Sequence, residues 1–123
     1  MDSSCVYFLV DLSIAQAKFH EFESFVQVLT SEAAKESGTL AYQWFLSGDR
    51  CRCRLLERYA NSDAVQAHLN SAVVQQLVPK LLDVAKMERF EVYGAPNAEV
   101  VVALKALGAQ IYPHWKGLSR TSA

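Results

Sequence analysis

Residues 39–59, TLAYQWFLSGDRCRCRLLERY, combine two strand-like segments with a turn between them. Residues 39–46 (TLAYQWFL) are rich in aromatic and aliphatic side chains, which favour a strand. Residues 51–59 (CRCRLLERY) alternate, which places on one face Cys51, Cys53, Leu55, Glu57 and Tyr59. The SGD triplet at 47–49 is a hairpin turn signal. The stretch therefore predicts two antiparallel strands joined by a tight turn.

A strand and a long helix precede the hairpin. Residues 6–12 (VYFLVDL) form a nearly unbroken apolar run, which is typical of a strand covered on both faces. Apolar residues then recur in steps of four and three, which predicts one apolar stripe along a helix: Ala15, Phe19, Phe22, Val26, Leu29 and Ala33. Gly38 follows as the predicted stop of this helix.

Further helices and a fourth strand follow the hairpin. Asn61 and Ser62 are candidate N-caps for a helix over 63–70, with a continuation over 71–83 that Pro79 should kink or restart. Residues 87–93 (MERFEVY) predict the fourth strand. Asn97 is a candidate cap for a short helix over 97–107, and 109–112 is a candidate for a last short strand.

The order β-α-β-β-α-β predicts an α+β fold, the ferredoxin-like split β-α-β unit with a four-stranded antiparallel sheet. Both helices would cover one face, yet the strands are apolar on both sides. Because a bare apolar sheet is avoided in monomers, we predict a homodimer whose sheets pack face to face. Residues 1–94 are the predicted ferredoxin-like domain, and 95–123 a C-terminal helical extension packed on the same domain or on the partner subunit.

The length, net charge and cysteine content limit the classes of function that the chain could have. The 123 residues suffice for one domain, and the formal net charge of −1 gives no electrostatic reason to bind nucleic acid or an anionic membrane. No apolar run approaches the roughly 18 residues that span a bilayer. The three cysteines are an odd, sparse set, and the polar start contains no secretory or transit segment. We therefore expect a cytoplasmic protein with no nucleic-acid or membrane partner.

Two short motifs resemble those of a known family. Residues 36–44 (ESGTLAYQW) are similar to an E-x-G-x-x-x-Y signature at a helix-to-strand junction. Residues 57–69 (ERYANSDAVQAHL) are similar to a second signature, a strand end of the form E-x-aromatic followed by a helix that bears a histidine. Both motifs and their spacing resemble the antibiotic biosynthesis monooxygenase (ABM) family over about residues 6–93.

The resemblance implies a dimeric α/β barrel with a pocket between the sheet and the helices of each subunit. Characterised members of the family include oxygenases that oxidise polycyclic phenols or quinols without metal, flavin or haem, and enzymes that degrade haem. The haem branch needs an axial ligand on the second helix, and residues 71–84 contain no histidine. The sequence has no glycine-rich phosphate loop, and a lone C-x-C at 51–53 is a weak metal signal. We therefore expect no cofactor and no metal.

His68 is the candidate catalytic residue. Oxygenation without a cofactor needs a base that removes a phenolic or enolic proton, which leaves an electron-rich anion able to react with O2, and histidine suits this role near neutral pH. The alternative is a structural helix histidine that is half exposed or is hydrogen-bonded to Glu57 or Asn61.

Six further residues are candidate substrate contacts. Tyr42 and Trp44 share a strand face and would form an aromatic slot, with a hydroxyl or indole N–H donating to a carbonyl; the alternative is core packing. Glu57 would orient His68, or would form an ion pair with an arginine. The remaining candidates share the predicted apolar interior and would line the pocket wall or fill the core: Tyr59, Phe22 and Phe90.

These residues support two hypotheses. The first is a cofactor-independent monooxygenase acting on a small aromatic molecule of quinol or polyketide type. The second is a non-catalytic homodimer, a small-ligand binder or stress-associated protein that uses the same pocket.

Overall fold

A computed structural model describes residues 4–120. Over this range one mixed sheet is covered on one face by four α-helices. The elements are β1 (Val6–Ile14), a 3-10 turn (Gln16–Lys18), α1 (Phe19–Ala33), β2 (Thr39–Leu46), β3 (Arg52–Tyr59), α2 (Ser62–Leu69), α3 (Ala72–Val84), β4 (Ala85–Gly94), α4 (Ala98–Ala106) and β5 (Gln110–Tyr112).

The sheet order is β2-β3-β1-β4-β5. β1 lies between β3 and β4 and pairs with both in antiparallel fashion, and β2 pairs with β3, so the α+β ferredoxin-like prediction is confirmed. The sheet has a fifth strand in addition to the predicted four, at the position of the candidate strand over 109–112. α4 returns the chain along the sheet, and Gly108 ends this segment with a φ of +92°, which favours glycine. β5 then adds to the outer edge of β4 in parallel.

Gly38 does not end α1, which stops at Ala33. Its role is a close approach between elements: a Cβ at Gly38 would lie 2.5 Å from the Cβ of Ala64 in α2. The carbonyl of Gly38 also accepts a hydrogen bond of 2.9 Å from the amide of Ala60. The turn that follows α1 is therefore held against the start of α2.

Pro79 does not restart a helix, because α3 runs from Ala72 to Val84 with this proline inside. The break falls earlier, at Asn70 and Ser71, where the Ser71 hydroxyl accepts a hydrogen bond from the amide of Val74 and caps α3. The cap supplies a new helix start before the proline is reached.

The core between the sheet and the helices has two clusters. The first packs α1 and α3 on the sheet around Leu12, Phe22, Leu29 and Leu81. The second packs α2 and α4 on the sheet around Val6, Tyr59, Val65 and Leu104. α2 thus lies over the sheet beside the hairpin.

The face of the sheet away from the helices is partly exposed. It presents Phe45, Leu56 and Tyr7, whose side chains are 52%, 42% and 37% exposed. At its centre, the buried carboxylate of Asp11 forms an ion pair of 2.9 Å with Arg52. Within residues 4–120, no helix is both long enough and apolar enough to cross a bilayer.

Candidate active site

α2 positions His68. The side chain of Asn61 accepts a hydrogen bond of 2.9 Å from the amide of Ala64 and so fixes the start of the helix, as the sequence predicted. His68 lies in the last turn of α2 and faces the sheet, where it is only 6% exposed. The ring centroid of His68 lies 5.8 Å from that of Tyr42 and 5.3 Å from that of Tyr59.

Two carboxyl groups flank the imidazole of His68. Its Nδ1 lies 2.8 Å from Oε1 of Glu36, and its Nε2 lies 3.7 Å from Oε1 of Glu57. The Thr39 hydroxyl also donates to Glu36 Oε1, at 2.8 Å, and holds that carboxylate in place. Glu36 Oε2 is buried and has no hydrogen-bond partner among the described residues.

Glu57 is the most deeply buried carboxyl group of the cluster, with a side chain 5% exposed. The hydroxyl of Tyr59, two residues along the same face of β3, donates a short hydrogen bond to Glu57 Oε1. Burial raises the pKa of Glu57 to about 7, against the lowering effects of His68 and of the Tyr59 hydrogen bond. The carboxyl therefore changes its protonation state near neutral pH.

Tyr42 pairs with Glu57 in the register of β2 and β3. Burial, followed by the nearby charges of Glu57 and Glu36, raises the pKa of Tyr42 well above its ordinary value, so the phenol keeps its proton at neutral pH. The Tyr42 hydroxyl makes no hydrogen bond with any described residue. It is therefore available as a donor to a ligand oxygen.

Trp44 lies next to Tyr42 in the same row of aromatic rings, but its indole N–H is already used in a hydrogen bond. Its indole Nε1–H donates a hydrogen bond of 3.0 Å to the hydroxyl of Thr30 in α1. Its ring meets Tyr42 and the buried Phe22 edge to face, with ring centroids 5.6 Å and 6.0 Å away. Trp44 and Phe22 can thus offer apolar ring surface to a ligand.

Phe90 is connected to the histidine only through other aromatic rings. Its ring contacts Phe8 at 5.3 Å between centroids, and Phe8 contacts Tyr59 at 5.0 Å. The structure thus brings His68, Tyr42, Glu57 and Tyr59 together, with Trp44 and Phe22 beyond Tyr42, while Phe90 packs behind Phe8.

Two open cavities on the part of the chain that the structure describes lie elsewhere. One of about 750 Å³ opens beside Ile14, Leu82 and Met87, and one of about 370 Å³ lies on the uncovered sheet face beside Asp11 and Phe45. Neither is lined by the residues around His68. Within the described range no group of three histidine, cysteine, aspartate or glutamate side chains is arranged to hold a metal ion.

Glu36 is the member of the cluster to which the sequence analysis gave no role. It stands first in the ESGTLAYQW motif, so the motif itself was the available signal. Its partner His68 is 32 positions away in the sequence, and α1 and β2 carry no periodicity that predicts the contact. Of the possible arginine partners of Glu57, neither Arg58 nor Arg89 forms an ion pair with it within the described residues, where the groups at its carboxyl are Tyr59 and His68, and an arginine of a partner subunit stays a prediction.

The sequence profile of the antibiotic biosynthesis monooxygenase family matches residues 6–80. The chain therefore belongs to the antibiotic biosynthesis monooxygenase family. No curated protein sequence matches the chain.

Solved structures share the fold. MupZ from Pseudomonas fluorescens is 20% identical, with 97% of each chain covered and a TM-score of 0.78. A conserved protein from Methanosarcina mazei Go1 is 19% identical, with 76% of this chain and 95% of that chain covered and a TM-score of 0.69. A Nitrosomonas europaea protein provisionally assigned to the antibiotic biosynthesis monooxygenases is 20% identical, with 75% and 90% covered and a TM-score of 0.65. At these identities the likeness extends to the fold alone.

Proposed function

We propose that this chain is a cofactor-independent monooxygenase that acts on a small aromatic molecule of quinol or polyketide type. The observation that carries the proposal is the buried cluster of His68, Glu57 and Tyr42, in which acid–base groups stand beside an aromatic wall. Membership of the family supports monooxygenase activity, and the aromatic character of the site supports the substrate class.

The proposed reaction uses the substrate as the only reductant. The acid–base cluster removes a phenolic or enolic proton, and the electron pair stays on the substrate as an anion that reacts with O2. One oxygen atom enters the substrate and the other leaves as water, so that an anthrone gives an anthraquinone and a hydroquinone gives a hydroxyquinone. The Tyr42 hydroxyl would donate to the substrate oxygen, while Trp44 would contact its ring.

Access to the cluster requires movement, because His68 is only 6% exposed. The break at Asn70 and Ser71, between α2 and α3, is the natural hinge for such a movement. In this proposal α2 moves away from β2 when the substrate enters, and its return excludes water from the anion.

The proposed working form is a homodimer joined through the uncovered sheet face. Exposed Phe45, Leu56 and Tyr7 on that face are the apolar surface that a second sheet would cover. A reducing, cytoplasmic setting stays a prediction, as does the division into a domain of residues 1–94 and an extension of 95–123.

A second candidate is a non-catalytic homodimer that binds a small ligand. One observation favours it: both ring nitrogens of His68 face carboxyl groups, so neither is open to a substrate. In that case the same cluster would stabilise the fold, and a ligand would raise the melting temperature without turnover.

Oxygen uptake with a panel of hydroquinones and anthrones in metal-free buffer tests the proposal. We expect uptake above the rate without protein, reduced in His68→Gln and unchanged in the matched variant His20→Gln, since His20 is exposed on α1. Absence of uptake across the panel, combined with thermal stabilisation by the same compounds, would instead establish the binding protein.

A further inference from the structure

We propose that Glu57, rather than His68, exchanges the proton with the bound phenol, and that Glu36 is a positioning residue that holds His68 beside Glu57. This inference rests on the proposed function. It assigns the acid–base role to a different side chain from the one that the sequence indicated.

The hydrogen bonds of His68 are the first argument. His68 Nδ1 lies 2.8 Å from Oε1 of Glu36, and we assign the donor role to Nδ1, because an ionised carboxylate only accepts hydrogen bonds. The other nitrogen, Nε2, faces Glu57 Oε1 at 3.7 Å. The imidazole is therefore engaged on both sides by protein groups, and a ligand could reach a ring nitrogen only by displacing one of them.

The oxygen atoms of Glu57 are the second argument. Oε1 accepts the Tyr59 hydroxyl and faces His68, whereas Oε2 has no hydrogen bond with any described residue. Oε2 is not one of the fully buried oxygens without a partner, so it keeps some exposed surface at which a ligand hydroxyl could donate a hydrogen bond, although the side chain as a whole is 95% buried.

Tyr42 supplies the third argument, because it stands beside Glu57 on the neighbouring strand and its hydroxyl also has no described partner. One ligand oxygen can therefore meet an acceptor and a donor together. In the proposed step the substrate O–H bond breaks, the proton moves to Glu57 Oε2, and the electron pair remains on the substrate oxygen. The Tyr42 hydroxyl stabilises this anion by a hydrogen bond.

The groups that surround Glu57 are compatible with proton exchange at its carboxyl group. The titratable groups that face it are His68 from α2, Glu36 from the turn after α1, Tyr42 from β2 and Tyr59 from its own strand. β1 places the apolar Phe8 opposite Glu57. Because burial raises the pKa of Glu57 to about 7, the carboxyl both accepts and releases a proton near neutral pH.

Glu36 acts through His68 in this account. Its carboxyl group, fixed by the Thr39 hydroxyl, holds the His68 ring by the contact at Nδ1 and so turns Nε2 towards Glu57. Loss of the Glu36 carboxyl group would remove this contact and change the orientation of the imidazole beside Glu57.

Titration of the ligand-free protein tests the inference without any need for turnover. The infrared carbonyl band of a protonated carboxylic acid and the ¹⁵N shifts of the His68 ring are followed from pH 5 to 9 in the wild type, Glu57→Gln, Glu36→Gln and the matched exposed-residue variant Glu23→Gln. We expect a carboxylic acid band that disappears around pH 7, is absent in Glu57→Gln and is unchanged in Glu23→Gln. We also expect Glu36→Gln to shift both the Glu57 titration and the His68 ¹⁵N signals.

A Glu57 carboxyl that is ionised throughout this range, with His68 as the only group of the cluster that titrates, would overturn the inference even if the protein oxidises phenols. A confirmed Glu57 titration together with absent oxygen uptake would leave Glu57 as the proton-exchanging group and remove the monooxygenase proposal. Where turnover is measured, Glu57→Gln should lower kcat at least 100-fold with little change in KM. Glu36→Gln should instead shift the pH dependence of kcat. A loss of kcat that is equal at every pH would mean that Glu36 has a structural role only.

Discussion

Tyr42 and Glu57 stand opposite each other in the register of β2 and β3, at the middle of the hairpin that the sequence pattern predicts most clearly. This pairing puts a neutral phenol hydroxyl beside a buried carboxyl with a pKa near 7. The hairpin therefore forms one edge of the sheet. It also supplies the hydrogen-bond donor of the proposed site, Tyr42, and the acceptor, Glu57. α2 adds His68 to them from the helix side.

Glu57 should make stability depend on pH in a specific direction. Its pKa rises from the ordinary 4.5 to about 7 in the folded protein, so the folded state binds more protons than the unfolded state between these values. The contribution of Glu57 to the free energy of unfolding is therefore full below about pH 4.5 and is lost as the pH rises towards 7, by up to roughly 3 kcal/mol. Urea unfolding at pH 5 and pH 8 should show that Glu57→Gln removes this component. An equal pH dependence in both proteins would contradict the raised pKa.

Gly38→Ala should destabilise the protein by about 1–3 kcal/mol, because its Cβ would lie 2.5 Å from the Cβ of Ala64. Gly48→Ala is the matched control, since a Cβ there has no atom within 4 Å. Ala64→Gly introduced together with Gly38→Ala should recover part of the loss, and a double-mutant cycle by urea unfolding measures the coupling. Additive effects would mean that the two positions do not compete for the same space.

Thr30→Val should cost about 1 kcal/mol, because it removes the acceptor of the Trp44 indole N–H. The indole ¹H–¹⁵N resonance of Trp44 should shift at the same time, whereas Ser24→Ala on the same helix should leave it in place. A Trp44 resonance that is insensitive to Thr30→Val would show that the indole has another partner.

Light scattering at micromolar concentration should give twice the mass of one chain. Leu56→Asp should produce monomers, because it places a charge at the centre of the uncovered sheet face, where Leu56 is 42% exposed. Val28→Asp is the matched control on α1, with a side chain 50% exposed on the helix side, and should remain dimeric. A monomeric wild type would contradict the proposed homodimer.

The fold was largely predictable because its elements follow local periodicities. The alternation over 51–59 assigned Glu57 and Tyr59 to one face, and the structure buries both on the helix side. Asn61 and Asn97 were predicted as helix caps for the same reason, since a cap depends on a few neighbouring residues, and both accept the expected amide hydrogen bond. β5 was only a candidate because three residues at a sheet edge carry almost no pattern.

The contacts that connect the candidate site are not local and were harder to predict. Glu36 meets His68 because Gly38 allows α2 to approach the preceding turn closely, and no repeat in the sequence records that contact. The role of Gly38 was misread as a helix stop for the same reason: a glycine required for space and a glycine required for a positive φ look alike in a sequence.

Single-turnover oxidation of an anthrone under isotopically heavy O2 in metal-free buffer measures whether the protein itself inserts oxygen into the substrate. We expect one heavy oxygen atom in the anthraquinone product and one in water, at a rate above the reaction without protein, and loss of that excess rate in Glu57→Gln but not in Glu23→Gln. A product formed no faster than without protein, or product oxygen derived from water, would contradict the proposed oxygenation.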